Sequence, residues 1–319
     1  MFYSIIIPVY NRPDELDELL ESLTYQHYSD FEVLVIDDGS KPPCKQIADR
    51  YGDKLDIRYF YKENSGQGFS RNFGFERARG DYFIVFDSDC LIPEEYLEIV
   101  DAYIQKHNID CWGGPDRAHP DFSPMQKAIN VSMTSLFTTG GIRGEKRQAG
   151  SYLPRSFNMG IGREVYDKTG GYIITRMAED LEFSVRIQKL GFKTALIPEA
   201  YVYHKRRTNL VDFFKQLHFF GRARINLSKF HPEQVEPVHY LPTIFLLGLI
   251  VTLGLFVLNI PYLKYLILLY ILFAAALFIE SMGREKSVKI ALIAVSAAFI
   301  QLTAYSIGFM SEWLGLRQE

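Results

Sequence analysis

Short apolar runs alternate with helical patterns in the first third of the chain. Each run is rich in β-branched and aromatic side chains and is bounded by polar or glycine residues, as buried strands are. Between the first two runs, Leu16, Leu19, Leu20 and Leu23 recur at helical spacing. The runs cover residues 3–9, 31–36, 57–61 and 82–86. This alternation predicts a Rossmann-like α/β domain with a mostly parallel sheet and helices on both of its faces.

Polar loops follow all four predicted strands. They are rich in Asp, Asn, Ser and Gly and consist of Pro8–Asn11, Asp37–Ser40, Asn64–Gly68 and Asp87–Asp89. Parallel strands deliver their carboxyl ends to one edge of a sheet, which is where open α/β sheets bind ligands. One such loop is a turn, whereas four on the same edge predict a binding site.

The loop after the fourth strand carries two carboxylates one residue apart, on Asp87 and Asp89. Carboxylate oxygens are the ligands that hard divalent cations prefer, and such a site leaves positions for a substrate's phosphates. Two solvated turn aspartates ahead of a helix explain the same pattern equally well. The motif alone does not choose between them.

Two further stretches carry candidate chemistry. Glu179 and Asp180 begin a helical pattern that ends before Gly191, so they are either functional acids or ordinary capping residues. His204 follows the last short strand, where it is either a metal ligand or a core or surface histidine.

The C-terminal part of the chain predicts association with a membrane. Residues 205–239 interleave basic and bulky apolar side chains, which is typical of an interface helix and also of a surface helix. The next region, 240–319, contains three apolar stretches long enough to cross a hydrocarbon core of about 30 Å. We place these spans at about 241–261, 263–281 and 289–311.

The loop between the second and third spans contains Arg284, Lys286 and Lys289. The positive-inside rule places that loop in the cytoplasm, and three spans then place residues 1–239 there too. The prediction is a multi-pass protein of the cytoplasmic membrane whose α/β domain, with its candidate catalytic site, faces the cytoplasm.

Composition excludes some classes of protein. The chain of 319 residues has a formal net charge of −3, which gives no global indication of nucleic-acid binding. Its three cysteines are odd in number and lack CxxC spacing, which argues against a disulfide framework or a structural zinc site.

Five motifs in series make residues 1–230 resemble the family 2 glycosyltransferases, which have the GT-A nucleotide-diphospho-sugar transferase fold. The motifs are Ile7–Asn11, Val35–Ser40, Gly68–Gly74, Phe86–Asp89 and Ala178–Asp180. The resemblance implies a nucleotide-sugar donor and a Mg²⁺ or Mn²⁺ cofactor. It also implies site roles, with donor binding by Pro8, Tyr10, Asn11, Asp38, Arg71 and Asp87, metal binding by Asp87, Asp89 and His204, and catalysis by Asp180 as general base beside Glu179. Weaker acceptor or diphosphate contacts fall on Trp112, Asn158, Gln216 and Arg222.

The chain departs from the processive members of that family. They carry Gln-x-x-Arg-Trp, whereas here Gln216 is followed by a displaced Arg222 and no tryptophan. We therefore expect one sugar to be added, by inversion, to a lipid-linked or surface-glycan acceptor. Transfer to polyprenyl phosphate is an alternative, and a non-catalytic nucleotide-sugar-binding scaffold is another. The predicted division is a GT-A domain at 1–204, an interface segment at 205–239 and a transmembrane region at 240–319.

Overall fold

The computed structural model describes residues 1–139, 152–258 and 263–316. The strands are β1 (Tyr3–Val9), β2 (Phe31–Asp37), β3 (Ile57–Tyr61), β4 (Tyr82–Phe86), β5 (Cys90–Leu91), β6 (Cys111–Gly113), β7 (Asp116–Arg117), β8 (Asn158–Gly162), β9 (Thr194–Leu196) and β10 (Val202–His204). The helices are α1 (Pro13–Leu23), α2 (Lys45–Asp49), α3 (Gln67–Phe75), α4 (Tyr96–His107), α5 (Pro124–Thr134), α6 (Leu136–Thr139), α7 (Arg163–Thr169), α8 (Glu179–Lys189), α9 (Leu210–Ser228), α10 (Leu241–Val257), α11 (Leu263–Glu285) and α12 (Val288–Trp313). Short 3₁₀ turns cover Pro232–Gln234 and Pro237–Tyr240.

The chain divides into two compact units. The first, called the α/β unit, comprises Met1–His119 and Gln148–Lys205, and the second, called the helical unit, comprises Pro120–Arg147 and Arg206–Glu319. The break at Lys205 lies beside the one predicted after residue 204. Residues 120–147, however, group with the C-terminal helices, which no periodicity in the sequence indicated. The functions assigned to the three predicted ranges stay predictions.

A mostly parallel sheet forms the centre of the α/β unit, as predicted. Its strand order is β3-β2-β1-β4-β8-β6-β9, with β1, β2, β3 and β4 parallel to one another. The β8 strand runs antiparallel between β4 and β6, so Asn158 at its start pairs with Phe86 at the end of β4. The start of β8 therefore lies at the same edge as the four polar loops.

The sheet is buried on both faces because its strands carry alternating apolar residues to each side. Ile5, Ile7 and Val33 belong to one core cluster, and Ile6 and Leu34 belong to the other. The first cluster includes the apolar side of α1 and α4, and the second includes residues of α3 and α8. Burial on both faces explains why the strands read as continuous apolar runs.

A small second sheet lies next to the loop Asp87–Asp89. It has the order β5-β10-β7, and its antiparallel β5–β10 register sets His204 opposite Cys90. The backbone amide of Lys205 also donates to the carbonyl of Asp89 at 3.0 Å. Residues that are far apart in sequence, Asp89 and His204, are thereby fixed side by side.

Within the described residues, three stretches of helix are long and apolar enough to cross a membrane: Pro237–Val257, Lys264–Glu285 and Val288–Trp313. Many apolar side chains of α10 and α11 are exposed, Leu253 and Phe256 among them. The third stretch is half buried within the unit. The end of the first predicted span, residues 259–261, lies outside the described residues.

The α9 helix is amphipathic as predicted, but its apolar side packs inside the helical unit. Phe213 and Leu217 share a core cluster with Ala297 and Ala304 of α12. Arg222 donates to Glu312 at 3.1 Å, and Arg206 donates to Asn130. This apolar face is therefore covered by protein, which differs from the sequence-based expectation of a face laid on the membrane.

Candidate active site

The loop after β2 is organised by Asp37, which is fully buried. Its carboxylate accepts hydrogen bonds from the Ser40 amide at 2.8 Å, the Cys44 amide at 2.7 Å and the Tyr59 hydroxyl at 2.6 Å. Burial by itself raises the pKa of Asp37, but these hydrogen bonds outweigh it and hold the pKa below its ordinary value. The carboxylate therefore stays charged and fixes the turn.

Asp38 fastens the loop after β3 to this turn. Its oxygens accept from the amides of Ser65 and Gly66, both at 2.9 Å, and it pairs with Lys62. Gly66 has a φ of +87°, a conformation that favours glycine. Both carboxylate oxygens of Asp38 therefore contact protein groups. The sequence had predicted only a contact between Asp38 and the nucleoside of the donor.

The loop after β1 joins the same cluster through Asn11. The Asn11 amide donates to Ser40 Oγ at 2.9 Å, and its side-chain oxygen accepts from the Lys41 amide at 2.8 Å. Neighbouring Tyr10 is half exposed, and Pro8 is partly buried. The residues predicted to hold the nucleoside therefore meet at one edge, with the Tyr10 ring available to a ligand.

Arg71 connects two acidic stretches that are far apart in sequence. Its Nη2 donates to Asp87 Oδ1 at 2.8 Å and its Nη1 donates to Glu179 Oε1 at 3.0 Å. The guanidinium is fully buried and lies over the Tyr172 ring at 5.3 Å. Arg71 therefore brings the Asp87–Asp89 loop and the start of α8 to one place, as a bridge within the protein.

The acids at the start of α8 differ in environment. Glu179 is buried and accepts from Gln67 at 2.7 Å as well as from Arg71. Burial and the neighbouring charge of Asp180 raise the pKa of Glu179 above its ordinary value, against the effect of Arg71. Burial also acts to raise the pKa of Asp180, but the Arg155 guanidinium, whose Nε donates at 2.7 Å, lowers it overall. Asp180 is thus the more acidic member of the pair.

The backbone before α8 is strained. Met177 and Ala178 adopt left-handed conformations, with φ of +60° and +68°, although neither is glycine. Consecutive non-glycine residues in this region cost energy and persist where the surrounding structure enforces them, often at functional sites. This strain sets the position at which Glu179 and Asp180 enter the site.

A second charged cluster surrounds Asp89. Arg12 Nη1 donates to Asp89 Oδ2 at 2.7 Å, and His204 Nε2 lies 3.1 Å from Asp89 Oδ1. The His204 ring stacks on Phe157, with a centroid distance of 5.1 Å. Asp89 itself is nearly buried, with 10% of its side chain exposed.

This cluster fits a divalent cation. Adjacent ligands of an octahedral ion with bonds of about 2.1 Å lie about 3.0 Å apart, which is the spacing of the Asp89 and His204 atoms. Cys90 lies within the same group, but burial raises the pKa of its thiol well above the ordinary value. A neutral thiol is a poor ligand for Mg²⁺ or Mn²⁺, so Asp89 and His204 are the suitable protein ligands, with Asp87 beside them.

The residues predicted for weak acceptor contacts are divided between the α/β unit and the helical unit. Trp112 and Asn158 are fully buried, and Asn158 is occupied by Tyr96 and the Ala200 carbonyl at 2.6 and 2.8 Å. Neither side chain offers a surface to an acceptor in this structure. Gln216 and Arg222 belong to the helical unit.

Sequence reasoning missed three residues of the site: Arg12, Gln67 and Arg155. Arg12 and Gln67 stand next to or inside the quoted motifs, so their positions were a usable signal. No pattern marked Arg155, whose contact to Asp180 depends on tertiary structure alone.

The sheet order and the acidic edge agree with the α/β domain of GT-A type that the sequence predicts. The sequence profile described as Glycosyl transferase family 2 matches residues 4–170, which is more than half of the chain. The chain therefore belongs to glycosyl transferase family 2.

The curated relatives are also named as glycosyltransferases. An uncharacterized glycosyltransferase of Haemophilus influenzae is 29% identical over 214 residues, covering 65% of this chain and 70% of that protein. The poly(ribitol-phosphate) beta-N-acetylglucosaminyltransferase TarS of Staphylococcus aureus is 36% identical over 114 residues, covering 34% of this chain and 20% of TarS. An uncharacterized glycosyltransferase of Rickettsia felis is 38% identical, and the chain spans only 17% of its length.

Solved structures agree with the fold. The mannosyltransferase PcManGT of Pyrobaculum calidifontis, in complex with GDP-Man and Mn²⁺, superposes with a TM-score of 0.62 at 15% identity, covering 99% of this chain and 88% of that one. Residues 1–349 of S. aureus TarS, in complex with UDP-GlcNAc, give 0.52 at 19% identity, covering 99% and 92%. At these identities the likeness shows the fold alone.

Proposed function

We propose that this protein is a membrane-bound inverting glycosyltransferase that moves one sugar from a nucleotide-diphosphate sugar to a lipid-linked or surface-glycan acceptor. The observation that carries the proposal is the Arg71 bridge between Asp87 and Glu179. It joins the carboxylates suited to a metal and diphosphate with those suited to proton transfer, at the ligand-binding edge of the sheet.

For the donor, we assign the nucleoside to the edge formed by Pro8, Tyr10, Asn11 and the Asp38 turn. Asp89 and His204 would hold Mg²⁺ or Mn²⁺, with Asp87 facing the diphosphate. Such an ion neutralises negative charge on the leaving diphosphate when it is bound. The ligands bound in the two solved relatives, GDP-Man with Mn²⁺ in one and UDP-GlcNAc in the other, are consistent with this assignment.

For the transfer step, we assign Asp180 as the general base. The acceptor hydroxyl oxygen forms a bond to the anomeric carbon while the bond from that carbon to the diphosphate oxygen breaks and leaves its electron pair with the nucleotide diphosphate. Asp180, held ionised by Arg155, accepts the hydroxyl proton. A single displacement of this kind inverts the anomeric centre and needs no protein nucleophile.

For the location, the exposed apolar sides of α10 and α11 support insertion in a membrane. The basic residues Arg284, Lys286 and Lys289, at and next to the connection between α11 and α12, support an inner-membrane topology with the α/β unit in the cytoplasm.

Product analysis tests this function. The purified chain is incubated with Mn²⁺, a panel of UDP- and GDP-sugars, and a lipid extract or glycan acceptors, and the products are identified by mass spectrometry and anomeric NMR. We expect one sugar added with inverted configuration. A sugar attached to polyprenyl phosphate would redirect the acceptor assignment, whereas binding of donor with neither transfer nor hydrolysis would indicate a scaffold protein.

Asp180→Asn tests the proton acceptor. Asparagine keeps the size of the side chain but has no basic oxygen, so we expect transfer to fall at least about 100-fold while donor affinity and melting temperature are retained. Glu179→Gln is the matched control, since Glu179 lies buried against Gln67 and Arg71 and should affect the rate less. Normal transfer by Asp180→Asn would remove it from the mechanism.

A further inference from the structure

We propose that Arg12 acts as a competing cation at Asp89, so that the affinity of the Asp89–His204 pair for a divalent ion depends on the diphosphate that accompanies the ion. The inference rests on the proposed function, because it takes Asp89 and His204 as the metal ligands. It adds a role for Arg12, which is to regulate the affinity of the site for the cation.

The geometry divides the two oxygens of Asp89 between two neighbours. Oδ2 accepts from Arg12 Nη1 at 2.7 Å, and Oδ1 lies 3.1 Å from His204 Nε2. A metal ion held between Oδ1 and His204 would share its carboxylate with a guanidinium on the other oxygen. The carboxylate's single negative charge would then be divided between two cations.

The side chain of Arg12 is also placed so that it can move away from Asp89. It stands at the N-terminal boundary of α1, and its side chain is 34% exposed. Arg71, in contrast, is fully buried and bridges two carboxylates, so it is fixed in the fold. Of these two arginines, Arg12 is therefore the one whose removal changes the charge at the metal ligands while the core is left intact.

The expected size of the effect follows from the charge. A cation within about 4–6 Å changes the proton affinity of a carboxylate by about 10- to 1000-fold. We take the low end because Arg12 is partly solvated, and expect Arg12→Gln to bind Mn²⁺ alone about tenfold more tightly, equivalent to about 1.4 kcal/mol. A bound diphosphate supplies further negative charge for both cations, so the difference should shrink when nucleotide is present.

The experiment measures Mn²⁺ binding to the full chain in detergent micelles by the EPR signal of free Mn²⁺, with and without saturating UDP or GDP. Arg12→Gln should bind Mn²⁺ alone about tenfold more tightly than the parent, and less than about threefold more tightly with nucleotide. Arg50→Gln is the matched control, because Arg50 makes an exposed ion pair with Asp17. It should leave both affinities unchanged.

Two outcomes would overturn the inference alone. The first is that Arg12→Gln binds Mn²⁺ alone with an affinity equal to or lower than that of the parent. The second is that Arg12→Lys, which keeps the charge and can be tested even if Arg12→Gln folds poorly, binds Mn²⁺ alone about tenfold more tightly than the parent. If the parent binds no Mn²⁺ with or without either nucleotide, the metal assignment of the proposed function fails, and the role of Arg12 fails with it.

Discussion

Replacing Arg71 by methionine should destabilise the protein in a way that depends on pH. Methionine retains much of the side-chain volume but leaves the buried Glu179 without its guanidinium partner. Breaking a buried ion pair from one side costs about 3–5 kcal/mol. The side chain of Asp87 is 34% exposed, so water replaces much of the interaction that Asp87 loses with Arg71. We therefore assign the whole destabilisation to Glu179.

Protonation limits the cost. The folded variant can neutralise Glu179 for about 1.36 kcal/mol per pH unit above the ordinary glutamate pKa of about 4.3, or about 3.7 kcal/mol at pH 7. Burial already raises the pKa of Glu179, and loss of Arg71 raises it further. An acid whose folded pKa lies above its unfolded value loses stability as pH rises toward that folded pKa. The destabilisation should therefore shrink as pH falls from 7 toward 5, by at most about 1.4 kcal/mol per pH unit.

Chemical unfolding followed by tryptophan fluorescence provides the assay. Trp112 is fully buried in the α/β unit and Trp313 is largely exposed, so the emission shift reports mainly on that unit. Arg50→Met is the control at an exposed ion pair, and it should change stability by less than about 1 kcal/mol. In Arg71→Met/Glu179→Gln the pH dependence should disappear. A loss of equal size at pH 5.5 and pH 7.5, or a pH slope that survives in the double variant, would refute the reasoning.

Three further changes follow from the contacts. Asp89→Ala should abolish divalent-dependent UDP or GDP binding measured by calorimetry, since a charged oxygen ligand is lost; unchanged metal dependence would contradict the clamp. Asp37→Asn should cost about 1–3 kcal/mol at pH 7, because an amide replaces one acceptor of the Ser40, Cys44 and Tyr59 hydrogen bonds. Since the folded pKa of Asp37 is lowered, the advantage of the parent is present above the ordinary aspartate pKa and should vanish as pH falls through the folded value, as a melting series would show. Gly308→Ala should lower the melting temperature in detergent, because its Cβ would lie 2.0 Å from the His218 carbonyl oxygen, whereas Gly254→Ala meets nothing within 4 Å and serves as the control.

The central strands β1, β2 and β4 were predictable because burial on both faces makes them almost continuously apolar, and the edge strand β3 was predictable from its aromatic and β-branched residues. The predicted runs 3–9, 57–61 and 82–86 coincide with β1, β3 and β4. The antiparallel β8 strand was not predictable from pattern, since Asn158–Gly162 is short and contains two glycines. One of them, Gly160, is required because a Cβ there would lie 2.0 Å from the Trp112 ring. The contact between Trp112 and Gly160, which requires the glycine, is known only from the fold.

The same limit applies to the site. Spacing along the chain placed the acidic loops at one edge, because the direction of parallel strands decides where their ends meet. It did not show which basic side chain each acid would contact, because Arg155 reaches Asp180 and Arg12 reaches Asp89 across tertiary distances. The membership of residues 120–147 in the helical unit was missed for a related reason. The buried side of α5 packs against α12, with Ile129 in a cluster with Ala297 and with Ser132 hydrogen-bonded to Gln301 at 2.8 Å, and these partners are known only from the fold.

The charge arrangement of the site bears on how a donor would be accepted. Four carboxylates, on Asp87, Asp89, Glu179 and Asp180, contact three guanidinium groups, on Arg71, Arg12 and Arg155. These named groups leave a slight excess of negative charge, which disfavours an incoming diphosphate by itself. A divalent cation at Asp89 and His204 would reverse that excess, so cation and diphosphate should each favour binding of the other. Because such coupling is reciprocal, the Mn²⁺ affinity measured with nucleotide and the nucleotide affinity measured with Mn²⁺ must rise by the same factor.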